Sequence, residues 1–523
     1  MPWPGRSDMR APGGSLAAHR FAAKCLLAIA TAFVAPAALA GKADNSIRFA
    51  TGQTLPSLDA YFNQSATGAR LAYDIWDGLL DRNPDTGELV PNLATAWRWV
   101  DDSTLELDLR QGVKFHDGEP FSADDVVYTF NFVADPKNKA ARGDLREWLD
   151  HAEKVDDYKV RLHTKKVYPA ALSSLAAPMV AIYPHRYYAE VGPKGMSAHP
   201  IGTGPFRVVQ YAIGKSLTLE RNPDYFRGGS KSTPRVGRVE IRFIPDATTQ
   251  VAEIVAGRLD LITDVTHDQA EQLRGIPSLE VMSEEAPTWY HVYLNTLPNG
   301  PAPALRDLRV RRAIAYAIDR ETIARALQGP GARLQNTECF RTQFGCTDEG
   351  APRYDYDPAK SRALLAAAGF PNGFQLDLYF STLPDQAEAV ANYLRAVGID
   401  AHLRRLQTGA LVAAMEAGRT PAVFIGRSVA GADVGLTLLA TYGLSGSDVN
   451  HDAEIRDLLV RGDSVLDEAE RRKAYAQALR LISERAYAIE LYTTVNYMVA
   501  AKNLVVPPHP ANALWRFFEM YYR

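Results

Sequence analysis

The segment from Tyr73 to Phe130 constrains this chain more than any other. It reads YDIWDGLLDRNPDTGELVPNLATAWRWVDDSTLELDLRQGVKFHDGEPFSADDVVYTF. Its elements follow a specific order: a helix over Leu71 to Asp77 stopped by Gly78, an acidic-Gly turn from Asp81, a helix ending in Trp97 and Trp99, a strand, a His-Asp-Gly turn and a capped helix. Thr104 to Val113 alternates with period two, placing Leu105, Leu107 and Leu109 on one face of a strand. Asp117-Gly118 is a turn dipeptide. Ser122 starts the next helix with Asp125 three residues on, a variant of the capping box. None of these elements brings together groups for acid–base or nucleophilic work. A rich pattern without chemistry points to a scaffold built for binding.

The N-terminus stands apart. Arg6, Arg10, Arg20 and Lys24 precede the small, apolar run from Cys25 to Ala40, which closes on Ala38-Leu39-Ala40. This is the grammar of a cleaved signal peptide, residues 1–40, with a mature chain beginning at Gly41. The run is short for a membrane span and contains Pro36, and no later run is long and apolar enough to be one. Cys25 opens the apolar run and does not follow it, which argues against a lipid-anchored cysteine at the cleavage site. Removing the leader takes Lys+Arg from 58 to 54 and Asp+Glu from 61 to 60, a net charge of −6. A mildly acidic exported chain has no electrostatic case for nucleic acid or anionic lipid. Two cysteines remain, Cys339 and Cys346, and in an oxidising compartment so close a pair is expected to form one disulfide.

At 523 residues the chain has room for two to four domains. From Pro200 it is rich in strand signals, with a Gly-rich turn at 201–205, strands around Ile213-Gly214 and at 238–244, and a helix over Thr248 to Ala256. From about residue 290 strands and helices alternate. A helix is expected over 307–327, another from Asp357-Pro358 to Gly369, a strand over 374–380, a helix over 385–397, and a strand over 422–426. Two long helices follow at about 452–462 and 466–487. The change of grammar near 289, reversed near 492, predicts two lobes whose chain crosses between them twice, the layout of a hinge.

Catalytic patterns are missing. No two of the eleven histidines lie within four residues of each other, so no metal-ligand pair is legible and no metal is expected. His116 is taken as a turn residue. Gly426-Arg427-Ser428-Val429-Ala430 misses the G-x-S-x-G nucleophile elbow at its last position. Gly202-Thr203-Gly204 opens a strand and not a helix, so it is expected to be a tight turn needing positive φ, not a dinucleotide site.

Several separate motifs together carry a family. The block 73–130, Ile201-Gly202-Thr203-Gly204-Pro205-Phe206, Leu219 to Phe226 (LERNPDYF), Tyr293-Leu294-Asn295-Thr296, Arg309 to Ile314 (RVRRAI), Ala317-Ile318-Asp319-Arg320 and Tyr356-Asp357-Pro358 through Gly369-Phe370-Pro371-Asn372-Gly373-Phe374 closely resemble the family 5 extracellular solute-binding proteins, over nearly all of 45–505. The resemblance implies an α/β, two-lobed periplasmic binding protein fold (type II, cluster C-like), with an extra subdomain in lobe I and a hinge between lobes. It places lobe I at 41–289, with a core of 41–80 and 200–289 and an inserted subdomain of 81–199. Lobe II is 290–491, and 492–523 return to lobe I. It implies a monomer without cofactor or enzymatic activity, which delivers a peptide or small amino-acid-derived solute to an inner-membrane ABC permease. An exported hydrolase acting through Ser428 and a non-transport, receptor- or chaperone-like binder are the alternatives.

In that family the motifs are mainly scaffold, and Trp97, Trp99 and the helix over 307–327 are assigned to the core. The pocket is expected on loops at the lobe interface. The matching positions are Tyr61, Asn63 and Gln64; Trp289, Tyr290 and Asn295; and Arg427, Ser428, Asp433 and Tyr442. Arg427 offers a guanidinium that suits a carboxylate, or serves as an ordinary salt-bridge partner. Trp289 either stacks on ligand or packs the hinge. The loop after Arg427 departs from the acid-rich loop of the dipeptide binders, with Asp433 as its only acid. That departure opens opine-like compounds and metal chelates as ligands beside peptides.

Overall fold

Two long strands organise the molecule. In a computed structural model that describes residues 41–523, apart from Gln64, Arg142 and the segments 429–432, 444–446 and 509–513, Leu279–Leu294 and Ala488–Ala501 run antiparallel along almost their whole length. The expected leader, residues 1–40, and the pocket candidate Gln64 therefore lie outside the described residues. The two strands sit in the middle of a ten-stranded sheet, ordered Ile399–Arg405, Phe374–Phe380, Ala422–Ser428, Leu279–Leu294, Ala488–Ala501, Leu261–Val265, Ser46–Thr51, Arg238–Phe243, Ser216–Arg221 and Phe206–Ala212.

Midway along them the register slips. Glu285 pairs with Val495, but the next pair is Trp289 with Thr493. The first strand thus carries extra residues at 286–288, a bulge that bends it. On one side of the bulge, buried apolar residues from Ile47 to Leu261 and from Ala500 to Met520 form the largest core, with a smaller one around Ile254, Leu273 and Val499. On the other side two cores cover opposite faces of the same strands. Val292 and Leu294 pack with the helices Leu308–Ala317 and Pro384–Ala396, and Tyr293 packs with Ala453–Gly462 and Glu468–Glu484. A strand covered on both faces is apolar at consecutive positions, as Val292-Tyr293-Leu294 is.

The first core also holds a separate antiparallel sheet, ordered Ala94–Asp101, Thr104–Leu109, Lys159–Thr164 and Leu149–Asp156. Here the helix expected to end in Trp97 and Trp99 is instead the strand Ala94–Asp101. Trp97 lies opposite Leu107 and Trp99 opposite Leu105, both half-buried, so the two tryptophans follow the two-residue period of cross-strand pairs. The helix expected over 307–327 is two helices, Leu308–Ala317 and Arg320–Leu327. Ile318 is extended, and Asp319 caps the second helix by accepting from the Thr322 amide. The capping box at Ser122 and Asp125 is present.

The rest of the opening block is explained by one buried carboxylate. Asp77 accepts from Asn92, Thr203 and Tyr225 and pairs with the buried ammonium of Lys231 at 3.0 Å. Lys231 also donates to the Tyr73 and Trp76 carbonyls that end the helix Ala66–Ile75. The turn at Gly202-Thr203-Gly204 lies against that helix end. Neither glycine has positive φ, contrary to expectation. A Cβ on Gly204 would stand 2.5 Å from the Ile75 carbonyl oxygen, so close backbone approach is what demands glycine. His116 closes the turn, accepting from the Gly202 amide at Nδ1 and donating from Nε2 to the Gly204 carbonyl. Both bonds suit a neutral imidazole, and burial holds His116 down to about 4.

Cys339 and Cys346 are joined by a disulfide. Among the described residues no helix is long and apolar enough to cross a membrane.

Candidate functional site

Alternation along Leu279–Leu294 puts Trp289, His291 and Tyr293 on one face and Tyr290 and Val292 on the other. The neighbouring strands bring Arg427 beside Trp289 and Glu490 beside His291. Glu338 comes from the disulfide loop, one residue before Cys339, and its carboxylate accepts from the Tyr442 hydroxyl. Its other oxygen lies 3.9 Å from Arg427 Nε. Glu490 lies 3.6 Å from His291 Nδ1.

Trp289, His291 and Glu338 are fully buried, and Glu490 nearly so. Yet seven polar atoms of this group lack a well-formed hydrogen bond: Trp289 Nε1, both His291 nitrogens, Glu338 Oε1, Arg427 Nε and both Glu490 oxygens, the Trp289 indole being only loosely directed at Glu490. Each unmet buried group costs about 1–3 kcal/mol. Folding alone does not favour seven of them on and beside adjoining strands, which makes their concentration a candidate site. Burial sets their protonation. It pushes Glu490 up to about 8, against the pull of Arg320 and Arg427, and raises Glu338 as well. It holds His291 down to about 4. Near neutral pH the group is a largely protonated Glu490, a neutral imidazole, an indole N–H and a guanidinium that is part-exposed to solvent.

A cleft with about 480 Å³ of open space reaches the disulfide loop that follows Glu338, although no member of the polar group lines it. One wall carries Arg82, Gly87 and Trp97, the other Arg341 to Phe344, Asp433, Arg471 and Arg472. The walls approach closely at Gly87, where φ is +77° and a Cβ would stand 3.1 Å from the Thr342 carbonyl oxygen. Arg82 donates to the Gly87 carbonyl through one nitrogen, leaves the other unpartnered, and is held down to about 10 by burial.

The expected pocket residues divide. Trp289, Arg427 and Tyr442 meet in the polar group. Ser428, at the end of the same strand as Arg427, is exposed and shares a hydrogen bond with Thr288. Asp433 lines the cleft but is committed: it caps the helix Val434–Tyr442 and pairs with buried Arg471 at 2.6 Å. The other four described candidates have structural work. Tyr61 is buried against Tyr183, and its hydroxyl donates to the Ala181 carbonyl. Asn63 clamps its own turn through Ser57 and Ser65. Tyr290 faces the opposite core, stacked on Phe424. Asn295 is buried and ties the strand end to the Gly418 and Thr420 carbonyls. Short polar side chains next to a strand end have such local backbone partners at hand, and those bonds form here.

His291, Glu338 and Glu490 were missed. Only His291 carried a signal, standing two residues from Trp289 and hence on the same face. Glu338 and Glu490 enter through pairings of distant segments.

Comparison with known proteins agrees with this architecture. The model for bacterial extracellular solute-binding proteins, family 5, matches residues 88–448. Heme-binding protein A of Haemophilus influenzae is 30% identical over 328 residues, 58% of each chain, so the match spans less than two thirds of that relative. The glutathione-binding protein GsiB of Pectobacterium atrosepticum is 28% identical over 389 residues, 73% of this chain and 71% of the relative. Among solved structures, HbpA2 from Haemophilus parasuis superposes with a TM-score of 0.81 at 23% identity, covering 91% of this chain and all of the other. That likeness shows the two-lobed α/β fold.

Proposed function

Because the chain belongs to the bacterial extracellular solute-binding proteins of family 5, we propose that it captures a small amino-acid-derived solute at the polar group on the crossing strands and delivers it to an inner-membrane ABC permease. The observation that carries this reading is the set of seven unpartnered buried polar atoms on and beside the strands that join the two halves. The solute supplies their partners. Its carboxylate pairs with Arg427, and its ammonium donates to carboxyl oxygens of Glu338 and Glu490, favouring loss of the Glu490 proton on binding. Glutathione, the ligand named for one relative, has two carboxylates and one ammonium and so fits this chemistry. Dipeptides and opine-like compounds share it. Heme and metal chelates offer carboxylates without the free ammonium.

On the same reading the leader 1–40 is removed and the protein works in the periplasm as a monomer, without cofactor and without catalysing a reaction. Lobe I is 41–289, with 81–199 inserted, lobe II is 290–491, and 492–523 return to lobe I. The bulge at 286–288 and the change of core across it support this division. Solute bound between the lobes favours a closed form that the permease recognises.

Native mass spectrometry of protein purified from its own periplasm tests the reading. A bound solute carrying both a carboxylate and an amine is expected. Glutathione, dipeptides, opine-like acids, metal chelates and heme then form a calorimetric panel. Arg427→Ala is expected to weaken binding by about 2–5 kcal/mol. If no solute co-purifies and none of the panel raises the unfolding temperature, the reading fails. Unchanged affinity in Arg427→Ala removes that residue from the site.

A further inference from the structure

The antiparallel sheet within residues 94–164 carries a second group of ligating side chains, sharing no residue with the polar group on the crossing strands. Its edge strand Leu149–Asp156 pairs with Lys159–Thr164 so that His151 stands directly opposite His163, and Glu153 opposite Arg161. Alternation places Glu153 on the same face as His151. The two imidazoles stack with centroids 4.4 Å apart. One ligating atom from each of His151, His163 and Glu153 lies within 4.8 Å of the others.

Both imidazoles have Nδ1 engaged. Asp150 Oδ2 lies 2.8 Å from His151 Nδ1, and Thr104 Oγ1 lies 3.3 Å from His163 Nδ1. His163 Nε2 is buried without a hydrogen bond, with Glu153 Oε1 3.4 Å away. At His151 the carboxylate on Nδ1 keeps the proton there and leaves the Nε2 lone pair as a donor, the arrangement that accompanies metal-ligating histidine, and at His163 the Thr104 hydroxyl can accept the Nδ1 proton in the same way.

We propose that His151, His163 and Glu153 bind a divalent cation of the zinc class. Two imidazoles and one carboxylate suit zinc and its borderline neighbours nickel and copper. They do not suit magnesium or calcium, which take oxygen ligands. Water completes the coordination, since His151 and Glu153 are both part-exposed. A metal lies in the plane of each ring that binds it, so His151, the more exposed of the stacked pair, turns on binding. Arg161 is the competing cation, with Nη1 3.5 Å from Glu153. Its Nε and Nη2 both lie 3.0 Å from Glu106, so it keeps a partner when Glu153 turns to the metal. The bound ion ties the edge strand to its neighbour. In sequence the two histidines are twelve residues apart, and only the strand register brings them together.

The test uses the untagged, chelator-stripped full protein titrated with zinc chloride by calorimetry and equilibrium dialysis. One equivalent is expected to bind and to raise the unfolding temperature, with no competition from a hundredfold excess of magnesium. His151→Gln and His163→Gln are each expected to lower zinc affinity at least tenfold. Asp150→Asn is expected to lower it about tenfold through the lost partner on Nδ1. His151 is exposed, so His151→Gln is expected to melt like the wild type without zinc, which separates lost ligation from misfolding. The proposal is overturned if the wild type retains no stoichiometric zinc, or if His151→Gln and His163→Gln bind zinc as tightly as the wild type.

Discussion

Single residues decide both what holds this protein together and what it offers a ligand. Asp77 and Lys231 are a fully buried ion pair that also satisfies a helix end. Lys231→Met leaves the carboxylate buried without its counter-charge. It is expected to cost about 3–5 kcal/mol in urea unfolding, more than any surface lysine. The polar group on the crossing strands carries a pH signature. The folded value of Glu490, about 8, lies above its ordinary 4.5, so the folded protein holds a proton there that the unfolded chain has lost. Stability from this residue therefore falls as pH rises through that window. His291, held down to about 4 from 6.5, has the opposite sign and adds stability as pH rises between those values. Above pH 6.5 only the Glu490 slope of this pair remains. The difference in unfolding free energy between Glu490→Gln and the wild type is expected to shift in favour of the variant between pH 6.5 and 8.5, measured by urea titration at each pH. At this scale the sequence spoke unevenly. Arg427 and Trp289 were legible as residues at a strand end and a crossing. Glu338 and Glu490 were not, because a glutamate reads as solvated surface until its neighbours are known.

Among the elements, the disulfide loop adjoins one member of the candidate polar group. Cys339 and Cys346 close a short loop whose preceding residue is Glu338. The bridge therefore bears on both stability and the position of one buried carboxylate. Reduction, or Cys339→Ser with Cys346→Ser, is expected to cost about 2–3 kcal/mol in the chain-entropy account. It is also expected to weaken solute binding, read by calorimetry on protein that still melts cooperatively. Helix and strand assignments failed where local signals were balanced. Ala94–Asp101 contains good helix formers, but Trp97 and Trp99 find Leu107 and Leu105 across a hairpin. Tertiary pairing outweighs a propensity of a few tenths of a kcal/mol per residue. The break at Ile318 was written in the chain as Asp319 three residues before Thr322, a cap within a longer apolar period.

For the molecule as a whole, the cleft walls approach closely at Gly87 and Thr342, a contact that the proposed closure would load. Gly87→Asn retains a residue that tolerates positive φ while adding a Cβ against the Thr342 carbonyl. It is expected to leave the unliganded protein folded, to reduce solute affinity about tenfold, and to enlarge the radius of gyration of the liganded form in solution scattering. Equal affinity and scattering in variant and wild type would show that this contact plays no part in closure. Sequence alone determined the family and the two-lobed architecture through resemblance, because the motifs that carry it are local stretches in a fixed order from Tyr73 to Gly373. It also determined that Cys339 and Cys346 pair, because they are close in the chain. Which polar groups stand unpartnered at the hinge, and which histidines face each other across a strand pair, only the tertiary structure decided. Those properties depend on register and burial between segments up to hundreds of residues apart, and neither is encoded in any single stretch.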